Sequence, residues 1–174
     1  MQANLQHSRV ATSNLTQIIQ QYNIDIAFIP ELYIVHNRVA GFPKGLKILS
    51  QGEDRIRAAI LINNNEVDAI TITQGSHEDA ILTEIKYKGL SLFGASINMP
   101  IDRDINIDLN TMENMLQYTT GEGLLLAMDS NARSKLWYDK QTNARGRTLE
   151  EYVIAKDLHI INMDTGIPTF ETNG

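Results

Sequence analysis

Apolar residues recur along this chain with two periods. Short runs of β-branched and aliphatic residues alternate with stretches in which apolar positions return every three or four residues. Residues 2–5 (Gln-Ala-Asn-Leu) read as a short opening strand. Ser8 is placed to cap a helix whose Ala11, Leu15, Ile18, Ile19 and Tyr22 fall on one face. The β-branched run at 24–29 predicts a buried strand, ended by Pro30-Glu31-Leu32-Tyr33. Irregular chain is expected through Gly41, Pro43 and Gly45. Strands at 57–62 and 67–72 flank an Asn63-Asn64-Asn65 turn. Residues 80–87 and 90–97 flank Lys88-Gly89 as an antiparallel hairpin. Ile105, Leu109, Met112 and Leu116 mark an amphipathic helix, with Asp104 as a candidate cap. Leu124 to Met128 is apolar, short and bounded by Gly123 and polar residues, as a buried strand should be. Thr148-Leu149-Glu150-Glu151 has the form of a capping box, so a helix to about Lys156 is expected, then a strand at 159–161.

Strand–helix alternation mixed with a hairpin indicates a mixed α/β sandwich. The chain has 174 residues, 43% of them hydrophobic, which suits one globular domain with a core of its own. It contains no cysteine, which excludes a disulfide framework and a thiolate metal site. Its apolar runs are too short to span a bilayer. No basic-plus-apolar leader opens it, so an intracellular protein away from membranes is expected. The net charge of −6 argues against holding nucleic acid by broad electrostatic attraction. A phosphodiester bound through a metal ion is still compatible with it. Two carboxylates about 4 Å apart repel by about 4 kcal/mol at an effective dielectric of 20, and a divalent cation reverses that sign.

The chemistry concentrates where apolar strands end. Asp129-Ser130-Asn131-Ala132 follows the 124–128 run, and in open α/β sheets ligands bind at strand ends. In extended chain, Asp129 and Asn131 would project to the same side, one taking a proton or a metal, the other donating without charge. Glu31 follows a buried strand and is a hard oxygen ligand suited to Mg²⁺. Asn4 ends the opening strand, and His7 lies close to it in the chain. Taken singly, Asn4 reads as a turn residue, Glu31 as a solvated loop acid and Asp129 as the start of an Asx turn. Arg133, Lys135, Arg145 and Arg147 gather around one loop, as phosphate contacts or as a solvated face. Trp137, the one tryptophan, reads as the packing anchor of that loop, with base stacking as the lesser role. Asn143, Gly146 and Arg147 shape the same loop. His36, His77 and His159 show no metal-ligand spacing, and His159 reads as structural.

Together these residues resemble the endonuclease domain of non-LTR retrotransposons, in the endonuclease/exonuclease/phosphatase superfamily. Residues 2–8 look like that family's opening strand and its asparagine. Glu31 with Tyr33 looks like its Gln-Glu-x-Tyr segment, with Pro30 in the glutamine position. Arg57-Ala58-Ala59 resembles its Arg-Ala strand, and Asp129-Ser130-Asn131-Ala132 its Asp-x-Asn-Ala. Trp137, Asn143, Gly146-Arg147, Leu149, Asn162 and Pro168-Thr169-Phe170 continue in the family's order. The resemblance implies a four-layer α/β/β/α sandwich of the DNase I-like kind. It implies cleavage of one strand of double-stranded DNA in the nucleus, dependent on Mg²⁺ or Mn²⁺. The 3′-hydroxyl formed would prime a reverse transcriptase domain of the same polyprotein. Carried over, Glu31 and Asn4 would serve the metal, Asp129 the attacking water, and Asn131 the phosphoryl oxygens. A monomeric domain is expected.

Two departures qualify that picture. Ser96-Ile97-Asn98-Met99-Pro100 stands where the family has Ser-x-Tyr-x-Pro, so Asn98 would have to donate in place of a phenol. The family's later Ser-x-x-Asp and Ser-Asp-His segments would begin beyond Gly174. The expectation is therefore a domain over 1–174 that lacks its C-terminal strands and starts abruptly. Two alternatives accompany the nuclease. One is a catalytically inactive remnant or nucleic-acid-binding module, the other a metal phosphoesterase acting on a non-DNA substrate.

Overall fold

A strand covered on both faces has to be apolar at every position, and residues 58–62 meet that demand. In the computed structural model, which describes residues 1–53 and 55–163, all five are buried. In chain order the elements are α1 (Arg9–Gln21), β1 (Ile26–Pro30), β2 (Ile34–Val35), β3 (Arg38–Val39), β4 (Lys47–Ser50), β5 (Ala58–Ile62), β6 (Asp68–His77), β7 (Ala80–Tyr87), β8 (Leu90–Asn98), α2 (Ile105–Tyr118), β9 (Leu124–Asp129) and α3 (Ala144–Ala155). A 3₁₀ turn at Lys135–Trp137 precedes α3. The chain divides into two compact units, Met1–Met99 with Asn110–Ser130, and Pro100–Leu109 with the chain from Asn131 onward.

The first unit holds two sheets. One is antiparallel, in the order β1-β5-β4, and the other runs β6-β7-β8-β9 with β9 parallel to β8. Alternation along β1 and β5 sorts their side chains. Phe28, Ala58, Ile60 and Ile62 enter a core shared with Ala69, Ile81, Ile85 and Ala127 of the second sheet and with Val67 just before it. Ala27, Ile29, Ala59 and Leu61 face the other way and pack with Leu5, Leu15 and Ile19 of the opening segment and α1. Gly94 makes room for the Phe28 ring: a Cβ there would lie 2.9 Å from that ring and equally close to Ile85. On the outer face of the second sheet, the Tyr118 ring at the end of α2 meets Phe93 edge-on at 6.0 Å. Met112 and Met115 of α2 are fully buried. The layer order is therefore α1, sheet, sheet, α2, as the resemblance implies.

Several elements differ from the sequence reading. The opening residues make a single parallel bridge, Gln2 to Phe28, rather than a strand, although Ala3 N–H and Leu5 N–H still bond to Phe28 O and Pro30 O. Ser8 caps α1 as expected, its Oγ accepting from Ala11 N–H. The buried stripe of α1 is Thr12, Leu15 and Ile19, while Ile18 and Tyr22 are exposed. Thr12 can be buried because its hydroxyl donates back to Ser8 O at 2.9 Å. The stretch expected to be irregular contains β2 and β3, and β4 follows it where the sequence reading assigned no element. Thr148 is not a cap: α3 begins a turn earlier, where Asn143 Oδ1 accepts from Gly146 N–H, and Thr148 donates to Ala144 O inside the helix. Residues 159–161 form no strand, and Ile161 is exposed. The expectations for Pro168-Thr169-Phe170 and for the chain end lie outside the described residues. Among those residues, no helix is long and apolar enough to cross a membrane.

Candidate functional site

Antiparallel pairing brings several strand ends to one edge of the first unit. Pro30 ends β1 opposite Ala58, which starts β5; Ala80, which starts β7, pairs with Ile97 near the end of β8. Asn98 and Asp129 end the parallel pair β8–β9 side by side in register. Neighbouring strands lie about 4.8 Å apart, so these two residues are immediate neighbours.

Hydrogen bonds close these ends into a ring. Asn4 Nδ2 donates to Asp129 Oδ2 at 2.5 Å. The opening segment reaches β1 through Leu5 N–H to Pro30 O and His7 N–H to Glu31 O. Glu31 N–H donates to Arg57 O at 2.8 Å, and Arg57 forms an ion pair through Nε with Asp79. Asp79 O accepts from Asn98 N–H, and Met99 N–H bonds to Asp129 O. Asn4, Glu31, Asn98 and Asp129 are thereby brought to one edge. Asn131 follows Asp129 in the chain and opens the second unit. Its backbone is left-handed, with φ 48°, so the alternation argued from an extended chain stops at Asp129. Asparagine is among the residues that tolerate this conformation best.

Each site side chain is fixed in a different way. Asn4 Oδ1 accepts from Gln6 N–H at 2.7 Å, which sets the amide so that Nδ2 faces Asp129. Glu31 takes a left-handed conformation with φ 51°, an arrangement that costs on the order of 1 kcal/mol for a side-chain-bearing residue. Its two backbone bonds hold it there. The His7 ring bonds through Nδ1 to Leu32 O at 2.8 Å. A carbonyl accepts, so Nδ1 is the donating nitrogen of that pair. Asn98 is buried, and its Oδ1 has no hydrogen-bond partner.

The donor set is oxygen-rich: two carboxylates, Glu31 and Asp129, and the amides Asn4 and Asn98. Among the described residues no three His, Asp or Glu side chains cluster as metal ligands. That composition fits an ion that takes one or two carboxylates and completes its shell with water and substrate oxygens. The buried Asn98 oxygen adds an unmet acceptor at the same edge.

The second unit carries the basic residues. Arg145 does not face solvent as a phosphate contact would. Its Nη1 donates to Arg103 O at 2.8 Å and its Nη2 meets Asp108 at 3.3 Å, while Arg103 pairs with the same buried carboxylate. Burial of Asp108 demands those two cations. Arg133, Lys135 and Arg147 are exposed, Arg133 lying 3.6 Å from Asp139. Trp137 is half-buried and donates from Nε1 to Ala132 O at 3.0 Å, consistent with an anchor for the loop. The feature missed in the sequence is the Arg57–Asp79 pair. No local pattern sets Asp79 apart in the sequence, and its burial marks it in the structure.

The chain is similar to several known proteins. Residues 93–174 match a family model described as endonuclease-reverse transcriptase. The chain is 23% identical over 99% of its length to the "115 kDa protein in type-1 retrotransposable element R1DM" of Drosophila melanogaster, of which it covers 18%. It is 26% identical over 78% of its length to the "Retrovirus-related Pol polyprotein from type-1 retrotransposable element R1" of Bradysia coprophila, covering 15% of that protein. The chain thus spans less than a fifth of the length of the curated relatives it matches. Among solved structures, it superposes with TM-score 0.88 and 26% identity on the endonuclease domain of TRAS1, a telomere-specific non-LTR retrotransposon, covering 98% of this chain and 75% of that one. The fold is that of the endonuclease/exonuclease/phosphatase superfamily. Within it, the chain is similar in sequence and in its DNase I-like architecture to the endonuclease domain of a non-LTR retrotransposon.

Proposed function

We propose that this domain hydrolyses a phosphodiester bond in one strand of double-stranded DNA in the nucleus, with Mg²⁺ or Mn²⁺ as cofactor. The 3′-hydroxyl released would prime a reverse transcriptase of the same polyprotein. The observation that carries this reading is the ring that joins Asn4, Glu31, Asn98 and Asp129 at one strand edge, in a chain similar to retrotransposon endonucleases.

Glu31 and Asn4 would hold the cation. When bound, it supplies Lewis-acid stabilisation of charge on the phosphoryl oxygens. Asp129 orients the attacking water and takes its proton, and the bond from Asn4 Nδ2 keeps that carboxylate in place. Asn98 donates to phosphoryl oxygens as charge builds on them. Water attacks phosphorus, the bond to the 3′ oxygen breaks, and that oxygen takes a proton from solvent to become the new hydroxyl. Exposed Arg133, Lys135 and Arg147 contribute phosphate contacts along the duplex.

The test is nicking of supercoiled plasmid in Mg²⁺ and in EDTA, followed by extension of the nick with a DNA polymerase. Open circles that form only with the metal and can be extended are the expected result. Cleavage in EDTA, or nicks that cannot be extended, would refute the reading. Faster turnover of small phosphate esters than of DNA would favour a different substrate.

A further inference from the structure

One cationic member of the ring has no task in the chemistry above. Arg57 lies between Glu31, whose N–H bonds to its carbonyl, and Asp79, whose carbonyl holds Asn98 N–H. Its side chain is 14% exposed and that of Asp79 1%. An arginine–carboxylate pair built for stability commonly engages two nitrogens of the fork. Here only Nε meets Asp79, and among the described residues neither Nη atom has a hydrogen-bond partner. A guanidinium carries five N–H donors in fixed directions, so anchoring Nε also aims the other four. The result is a mostly buried cation bonded, through its own backbone and through Asp79, to the edge that bears the two carboxylates.

We propose that Arg57 donates from its Nη atoms to the non-bridging oxygens of the phosphodiester under attack, with Asp79 as its positioning residue. The inference rests on the nuclease reading and deepens it. Electrostatics favour the assignment. The ring's carboxylates repel a phosphate, and a fixed cation beside them offsets that repulsion without any reorganisation during reaction. Arginine suits the place better than lysine, because its planar fork can hold Asp79 and a phosphate at once, whereas an ammonium is a single point charge. Asp79 fixes the direction of the donors and touches no reacting atom.

The experiment compares the protein with its Arg57→Lys, Arg57→Gln and Asp79→Asn variants. Nicking kinetics are measured in Mg²⁺, melting temperature is recorded for each variant, and duplex binding in EDTA is followed across a salt series. Arg57→Lys is expected to stay folded while kcat falls about a hundredfold with KM little changed, the loss typical of one transition-state donor. Arg57→Gln should in addition lower the slope of log binding constant against log salt by about one. Asp79→Asn keeps the cation, so it should lower kcat without changing that slope. A folded Arg57→Lys variant with the parent's kcat overturns the inference while leaving the nuclease reading intact. A parent that does not nick overturns the nuclease reading instead. The salt slope of Arg57→Gln then decides the phosphate contact by itself, and an unchanged slope refutes it.

Discussion

Replacing Gly146 with alanine isolates one close approach on which the second unit depends. Gly146 lies in the first turn of α3, where alanine is ordinarily better than glycine by about 1 kcal/mol. Here the sign reverses. A Cβ at this position would stand 1.8 Å from the carbonyl oxygen of Arg133 and 2.7 Å from its carbon. Comfortable contact needs about 3.5 Å, so the overlap exceeds an ångström and falls on backbone that cannot rotate away. That backbone is tied down: Asn143 N–H donates to Arg133 O at 3.0 Å and Arg133 N–H to Asn143 Oδ1 at 3.2 Å. Separating the segments loses two hydrogen bonds, each about 1 kcal/mol. It also loses the Asn143 cap, about another 1 kcal/mol. After the gain in helix propensity is subtracted, the net loss is about 2 kcal/mol. For a chain of this length that corresponds to a melting temperature lower by about 4–8 °C. Circular dichroism on heating reads it directly. Gly89→Ala serves as the control, since nothing lies within 4 Å of its added Cβ and only the left-handed φ of 83° is penalised. It should cost about 1 kcal/mol. A Gly146→Ala protein at least as stable as the parent would refute the close approach.

Other outcomes follow from the same geometry. Asp108→Ala leaves Arg103 and Arg145 without their buried carboxylate and should destabilise by about 3–5 kcal/mol, read as an earlier urea midpoint. Arg145→Ala should lower stability but leave the salt slope of DNA binding unchanged, whereas Arg147→Ala should reduce that slope by about one at unchanged melting temperature. Asn4→Asp sets a second carboxylate against Asp129, with a repulsion of about 4 kcal/mol at 4 Å and an effective dielectric of 20. Nicking should fall at least about a hundredfold for Asn4→Asp and markedly less for Asn4→Ser.

The sequence disclosed those parts of the fold whose signals are local. The β7–β8 hairpin is legible because Lys88-Gly89 supplies two consecutive positive-φ residues between two largely apolar runs, and both have that conformation. β5 is legible because burial on both faces demands an unbroken apolar run. β4 is not, since Lys47–Ser50 is four residues long and lies at a sheet edge, with too little pattern to distinguish it from loop. Thr12 and Ile18 exchange roles in α1 because a back-bonded threonine can be buried, something a hydropathy pattern does not register. Thr148 imitates a cap through its spacing to Glu151, while Asn143 holds the helix start through contacts with Arg133, ten residues away in the chain. In the candidate site, Asp129 could be singled out because it ends an apolar run, whereas Asn4 and Glu31 read singly as turn and loop residues and are joined to it by the family resemblance. The Arg57–Asp79 pair could not, because its meaning lies in burial and in a contact across 22 residues of chain.

The central claim is that Glu31 and Asp129 act as one unit at a shared edge. Single-turnover nicking by Glu31→Ala, Asp129→Ala and the double variant tests it most directly. Residues that work as a unit are strongly non-additive, so each single change is expected to remove at least about a thousandfold in rate and the double variant little more. Parent-like rates in either single variant, or a double variant whose loss equals the product of the two, would contradict it.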